Sequence, residues 1–150
     1  MIIYRLTTGK FANDISGTGA KINGGRWNPV GFAALYTSQN ISLAILEILV
    51  RATKFTSPDS YTLTSFEIPD EGIYDIQLKK LKKNWKSDIR YTQGIGEDFL
   101  NENKSFCLRV PSAIVPTENN FLLNPLHPDF KKLKIINSEL LELDKRLMMQ

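Results

Sequence analysis

Residues 41–50 read ISLAILEILV, an apolar run interrupted only by Ser42 and Glu47. Ser38 or Asn40, just before it, can cap a helix, so the pattern predicts a helix over residues 41–53. A helix that is apolar nearly all round is expected to be buried on most of its sides. The run is too short and too polar to span a bilayer, so we expect a soluble domain.

Stretches rich in β-forming residues flank this helix on both sides. The predicted strands cover residues 2–7, 32–37, 60–68, 106–110, 113–115 and 121–123. A second helix is predicted over residues 97–103, after Gly94 and Gly96. Residues 9–31 are expected to form a long glycine-rich loop, and residues 133–148 fit either a helix or a closing strand. This mixture of many short strands and few helices predicts an α+β fold in one domain, residues 1–150.

Composition limits the kinds of site to consider. One cysteine, Cys107, and one histidine, His127, exclude an internal disulfide and a Cys/His zinc site within one chain. The net charge of +3 includes a lysine cluster at residues 79–86, which we expect to be a solvated surface segment and not a nucleic-acid interface. The opening residues lack a signal-peptide pattern, so a cytoplasmic protein is expected.

Glu47 is the most informative single residue because it is the only acid in the apolar run. A carboxylate in such surroundings is costly unless it has a partner or faces a cleft. Carboxylates placed in this way are often functional. Alternatively, Glu47 lies on the one exposed edge of the helix and has no role, and this residue alone does not separate the two interpretations.

Arg26 lies in a second informative stretch, GGRWNPVG at residues 24–31. The two glycines permit a ligand to approach the backbone closely, and a guanidinium binds phosphate in a bidentate fork. A tight turn with a surface arginine explains the same residues. Tyr36 and Ser112 each end a predicted strand, where sites are common, although a half-buried aromatic and a turn hydroxyl are ordinary structural roles.

The common nucleotide-binding and catalytic motifs are absent from the sequence. Gly17 and Gly19 begin like the dinucleotide fingerprint, but Ile22 stands where a third glycine is needed. There is no Gly-Lys-Ser/Thr phosphate loop, and no serine or cysteine motif would make His127 part of a triad. A dinucleotide, if bound, is therefore not bound on a Rossmann fold.

Taken together, these segments resemble the RES domain family over nearly the whole chain. The resemblance is carried by Tyr4-Arg5, residues 24–31, LYTS at 35–38, LAILE at 43–47, VPSA at 110–113, Asn120, Asn124-Pro125 and His127-Pro128. Their order and spacing together make the resemblance specific. The arginine, glutamate and serine that give the family its name correspond to Arg26, Glu47 and Ser112.

The resemblance implies an ADP-ribosyltransferase-like fold, in which two small twisted sheets clasp NAD in a cleft. It also implies a bacterial toxin that depletes or uses NAD, and an antitoxin with an Xre-like DNA-binding domain that covers the active site. Such toxins often pair, so a homodimer within a larger toxin–antitoxin complex is expected. We expect no cofactor beyond NAD as substrate, no metal, no membrane and no direct nucleic-acid binding.

The chemistry of NAD then predicts a mechanism. Its nicotinamide ring is cationic and leaves as a neutral molecule, so one carboxylate, Glu47, is enough to stabilise an oxocarbenium-like ribose without the second carboxylate of ordinary glycosidases. Arg26 and Arg5 are expected to bind the pyrophosphate or order the ribose side of the cleft. Tyr36 is expected to stack on a ring of NAD, and Ser112 to hydrogen-bond the ribose.

Two alternatives stay open at this point. The ADP-ribose acceptor is water, phosphate or a protein side chain, because each need only reach the same ribose carbon. A non-enzymatic module that binds a partner protein or nucleic acid is the other alternative, and the lysine cluster at residues 79–86 favours it. That alternative leaves the set of motifs unexplained.

Overall fold

The structure, a computed structural model, describes residues 1–51 and 61–148. The strands among these residues are β1 (Ile2–Thr8), β2 (Leu35–Ser38), β3 (Tyr61–Glu67), β4 (Ile73–Asp75), β5 (Cys107–Pro111), β6 (Asn119–Leu123) and β7 (Lys134–Leu141). The helices are α1 (Thr18–Asn23), α2 (Ile41–Arg51) and α3 (Ile89–Glu102), with short 3-10 helices at Gly9–Phe11, Leu78–Lys80, Pro128–Lys132 and Lys145–Met148. The predicted α+β class is confirmed.

The strands form one seven-stranded sheet in the order β4-β5-β6-β2-β1-β3-β7. All neighbours are antiparallel except β4 and β5. β1 pairs with β3 along its whole length, but it registers with β2 at a single position, Tyr4 opposite Ser38. The two small sheets expected from the resemblance are therefore two halves of one sheet that meet at this narrow junction.

Side chains of β5 and β6 alternate between the two faces of the sheet, as the pleat requires. One face carries a buried cluster that includes Ile3, Phe66, Cys107, Phe121 and Leu123. The other face carries a cluster that includes Trp27, Phe99, Leu108, Val110 and Leu122. A third cluster lies under α2 and contains Leu6, Ala44, Tyr61 and Leu63. The loop that holds Trp27 is thus anchored in the core.

Helix α2 is less buried than its composition predicts. Only Leu43 and Ala44 are buried, whereas Ile41, Leu46 and Val50 are 39%, 36% and 66% exposed. The prediction of burial on most sides was wrong because, within the described part of the chain, α2 packs mainly on β1 and β2. The predicted end at residue 53 lies outside the described residues. None of the helices in residues 1–51 and 61–148 has the length and apolar character needed to cross a membrane.

Helix α3 begins at Ile89, eight residues before its predicted start. Asp88 caps it by accepting a hydrogen bond from the Tyr91 amide at 3.1 Å. Gly94 and Gly96, which we interpreted as lying before the helix, are inside it. A Cβ on Gly96 would lie 1.5 Å from the Trp27 carbonyl oxygen. The glycine therefore marks a close contact between helix and loop, and not a helix boundary.

Other differences lie at turns and edges. The predicted loop 9–31 contains α1, and the strand predicted from residue 32 begins at Leu35. Residues 113–115 are not a strand, because the amides of Ile114 and Val115 donate to Ser112 Oγ instead of to a neighbouring strand.

The two edge strands of the sheet are β4 and β7. The short strand β4 was not predicted, and it forms by parallel pairing with β5. The tail, for which helix and strand were both open, forms β7 by pairing along β3. The strand predicted over residues 60–68 is β3. Its predicted first residue, residue 60, lies outside the described residues.

Candidate active site

A cleft of about 300 Å³ opens between β1, β2, α1 and α2, within the size range of small-molecule sites. It lies beside the junction of the two sheet halves, since Tyr4 and Ser38 both line it. Among residues 1–51 and 61–148, the charged side chains in its lining are Arg5, Asp14, Glu47 and Arg51. These described residues bring two cations and two anions together in a confined space.

Glu47 extends from α2 into this cleft. Its Oε1 accepts a hydrogen bond from Ser112 Oγ at 3.1 Å and a second, short one from Asn120 Nδ2. Ser112 directly follows β5, and Asn120 lies in β6. The sequence left open whether Glu47 is a functional carboxylate with partners in a cleft or an exposed residue without a role. Because Glu47 has both hydrogen-bond partners and a cleft, the geometry favours the functional role.

Ser112 is fully buried and is not part of the cleft lining. Its Oγ accepts hydrogen bonds from the amides of Ile114 at 3.1 Å and Val115 at 3.2 Å. Because these amides occupy its lone pairs, the hydroxyl proton is directed at Glu47. The structure thus places Ser112 beneath the carboxylate, outside the cleft lining and in contact with Glu47.

Two arginines reach the cleft. Arg5 Nη1 donates to the Asp14 carbonyl at 2.6 Å, and burial lowers the pKa of the Arg5 guanidinium, an effect that the Asp14 carboxylate opposes. Arg51 ends α2, and its guanidinium lies 5.4 Å from the ring centroid of Tyr36. Sequence reasoning missed Arg51, although it follows Glu47 by four residues, which places both on one side of a helix.

Tyr36 connects the cleft to the loop at residues 24–31. Its ring lines the cleft, while its hydroxyl accepts from the Trp27 amide at 3.0 Å and donates to Asn28 Oδ1 at 2.7 Å. Burial raises the pKa of this hydroxyl to about 12. A Cβ on Gly25 would lie 2.6 Å from the Tyr36 hydroxyl, so this glycine is needed for the close approach.

Arg26 lies outside the cleft lining. Its Nη1 donates to the main-chain carbonyl of Lys86 at 2.7 Å, and its guanidinium lies 5.9 Å from the ring centroid of Trp85. These contacts attach the loop to the segment before α3. Of the residues predicted for the site, the structure brings three into the cleft: Arg5, Tyr36 and Glu47.

Comparison with known proteins gives the family. The family model described as the RES domain matches residues 2–144. The chain belongs to the RES domain family. This confirms the resemblance seen in the sequence, and it covers all the residues that line the cleft.

Curated relatives of this RES domain are named as toxins. The chain is 41% identical over 135 residues to Toxin Res of Photorhabdus laumondii, covering 88% of this chain and 86% of the relative. It is 40% identical to Toxin Res of Yersinia enterocolitica, covering 87% and 88%. It is 38% identical to the Prs ADP-ribosylating toxin of a Sphingobium species, covering 82% and 80%.

A solved structure supports the fold of this RES domain. The toxin–antitoxin complex MbcT–MbcA of M. tuberculosis contains a chain that matches with a TM-score of 0.78. The match covers 93% of this chain and 83% of that chain at 20% sequence identity. The similarity establishes a shared α+β fold, which is consistent with the ADP-ribosyltransferase-like fold that the resemblance implied.

Proposed function

We propose that this RES domain is the toxin of a toxin–antitoxin pair and that it cleaves the nicotinamide–ribose bond of NAD. The observation that carries the proposal is the Glu47 carboxylate, which faces the cleft while one of its oxygens is held by two donors. The family and the names of its curated relatives support the toxin assignment.

The reaction needs little more than a fixed negative charge. When the bond between the ribose carbon and the nicotinamide nitrogen breaks, its electron pair goes to the cationic ring, which leaves neutral. Positive charge then develops on the ribose, and the Glu47 carboxylate stabilises it electrostatically. Water or phosphate attacks the same carbon and loses a proton to solvent, which gives nicotinamide and ADP-ribose or its phosphate ester.

The rest of the cleft supplies binding. Arg5 and Arg51 offer positive charge for the pyrophosphate, and the Tyr36 ring offers a face for stacking. Arg26, predicted from the sequence to bind the pyrophosphate, is assigned here to holding the loop, because its guanidinium already contacts Lys86 and Trp85. Ser112 acts on Glu47 and not on the ribose, because it is fully buried.

The test is release of nicotinamide from NAD by purified chain free of antitoxin. Glu47→Gln keeps the shape and removes the charge, so we expect turnover to fall roughly 100-fold or more. Glu102→Gln, an exposed change whose partner is Lys104, is the matched control and should stay within about two-fold of the parent. A folded Glu47→Gln variant with near-parent turnover would contradict the assignment.

A protein acceptor is the second candidate, because one relative is named an ADP-ribosylating toxin. Transfer of label from NAD to a protein in lysate, with little free ADP-ribose, would favour it. Mass spectrometry of the products with and without phosphate separates hydrolysis from phosphorolysis. A non-enzymatic module predicts unchanged NAD and salt-sensitive nucleic-acid binding instead.

The proposed partner is an Xre-like antitoxin that covers the cleft. The structural relative from M. tuberculosis was solved as a toxin–antitoxin complex, which supports an antitoxin partner. Adding the cognate antitoxin should stop nicotinamide release. A homodimer within that complex and a cytoplasmic location stay predictions, and light scattering of the isolated complex tests the first.

A further inference from the structure

Ser38 and Asn120 form a largely buried pair beside Glu47, at the wall of the cleft. They lie directly opposite each other on β2 and β6. Ser38 Oγ donates to Asn120 Oδ1 at 2.8 Å, and Asn120 Nδ2 donates to Glu47 Oε1. Ser38 is also the residue that pairs with Tyr4 at the junction of the sheet halves.

The carboxylate fixes the direction of this chain of hydrogen bonds. An ionised Glu47 only accepts, so Asn120 must present its NH₂ group to it. The Asn120 carbonyl oxygen then faces Ser38, whose hydroxyl supplies the proton. Turning the amide over would bring two acceptor oxygens together beside Glu47. Because Ser112 donates to the same oxygen, Oε1 has two donors.

We propose that Asn120, oriented by Ser38, is a positioning residue that holds Glu47 Oε1 and leaves Oε2 to face the substrate. The inference rests on the proposed function, because it assigns the carboxylate oxygen that acts on the ribose. Preorganised charge is worth more in catalysis than mobile charge, since it needs no reorganisation at the moment of reaction. Loss of the Asn120 donor should therefore lower kcat and leave KM largely unchanged.

Asn120→Asp keeps the shape but replaces the donor by an acceptor, and Asn119→Asp is its matched control. Asn119 is the neighbouring residue, and its amide donates to Gln39 and not to Glu47. We expect kcat for nicotinamide release to fall about 10-fold or more in Asn120→Asp with KM within about three-fold, and a smaller fall in Ser38→Ala. Equal kcat in the Asn120 and Asn119 variants would overturn the proposal.

A melting measurement tests the same contact without NAD. At neutral pH, Asn120→Asp places two carboxylates together, so its Tm should lie at least about 3 °C below that of Asn119→Asp. In a Glu47→Gln background most of this difference should disappear, because the repulsion has lost one partner. An unchanged difference would overturn the contact. Absence of nicotinamide release by the parent, with this coupling intact, would refute the proposed function alone.

Discussion

Gly96→Ala tests how tightly α3 packs against the loop at residues 24–31. The new Cβ would lie 1.5 Å from the Trp27 carbonyl oxygen and 2.6 Å from the carbonyl carbon. Ordinary contact begins near 3.4 Å, so helix and loop must separate by about 2 Å within a close-packed core. Overpacking typically costs about 1–3 kcal/mol and sometimes more, which outweighs the gain of about 1 kcal/mol from replacing glycine in a helix.

A separation of about 2 Å puts the cost at the upper end of that range, so after the propensity gain we expect Gly96→Ala to lose about 2 kcal/mol of unfolding free energy, which lowers Tm by about 4–8 °C. Gly94→Ala is the matched control, because nothing lies within 4 Å of its Cβ position in the same helix. It should raise Tm by about 2–4 °C through helix propensity alone. Thermal and urea denaturation followed by circular dichroism measure both. A Gly96→Ala variant as stable as the parent, or shifts of the same sign in both variants, would refute the packing argument.

Three further predictions concern the cleft. Ser112→Ala should lower kcat about 10-fold with KM nearly unchanged, since Glu47 keeps its Asn120 donor; a change confined to KM would contradict this. Arg51→Ala should raise KM for NAD about 10-fold in steady-state kinetics, whereas Arg26→Ala should mainly lower Tm. A raised KM in Arg26→Ala with a lowered Tm in Arg51→Ala would instead assign pyrophosphate binding to Arg26. Burial raises the pKa of Tyr36 to about 12 from an ordinary value of 10. The neutral phenol therefore stabilises the fold below pH 10, and this contribution is lost as the pH rises through 12. Between pH 10 and pH 12 the unfolding free energy of Tyr36→Phe should therefore fall less than that of the parent. Equal falls, measured by denaturation at alkaline pH, would contradict this prediction.

Local sequence patterns predicted the helix that carries Glu47 and most of the strands, because hydrophobic periodicity and turn residues are local signals. They failed where a distant contact decides. Gly96 follows no local rule, since its reason is the Trp27 carbonyl beside it. The burial of α2 was overestimated because composition does not show how many layers cover a helix.

In the candidate site, too, some residues have a local signal in the sequence and others depend on distant contacts. Glu47 stands out in the sequence because a charge in an apolar run is unusual. Asn120 and Ser38 contribute to the family resemblance, but no local pattern shows that they pair, since they are 82 residues apart in the chain. Arg51 had a usable signal, its four-residue spacing from Glu47, because that spacing places two side chains on one side of a helix.

The loop at residues 24–31 shows why a motif does not by itself give the role of its arginine. Each of three neighbours contributes to holding the Tyr36 hydroxyl: Gly25 by lacking a Cβ, Trp27 by its amide and Asn28 by its side-chain oxygen. The glycines that we interpreted as allowing a ligand to approach include one that allows a tyrosine to approach. The cations in the cleft lining come from β1 and α2 instead. Gly25, Trp27 and Asn28 therefore place one aromatic ring, whereas Arg26 contacts Lys86 and Trp85.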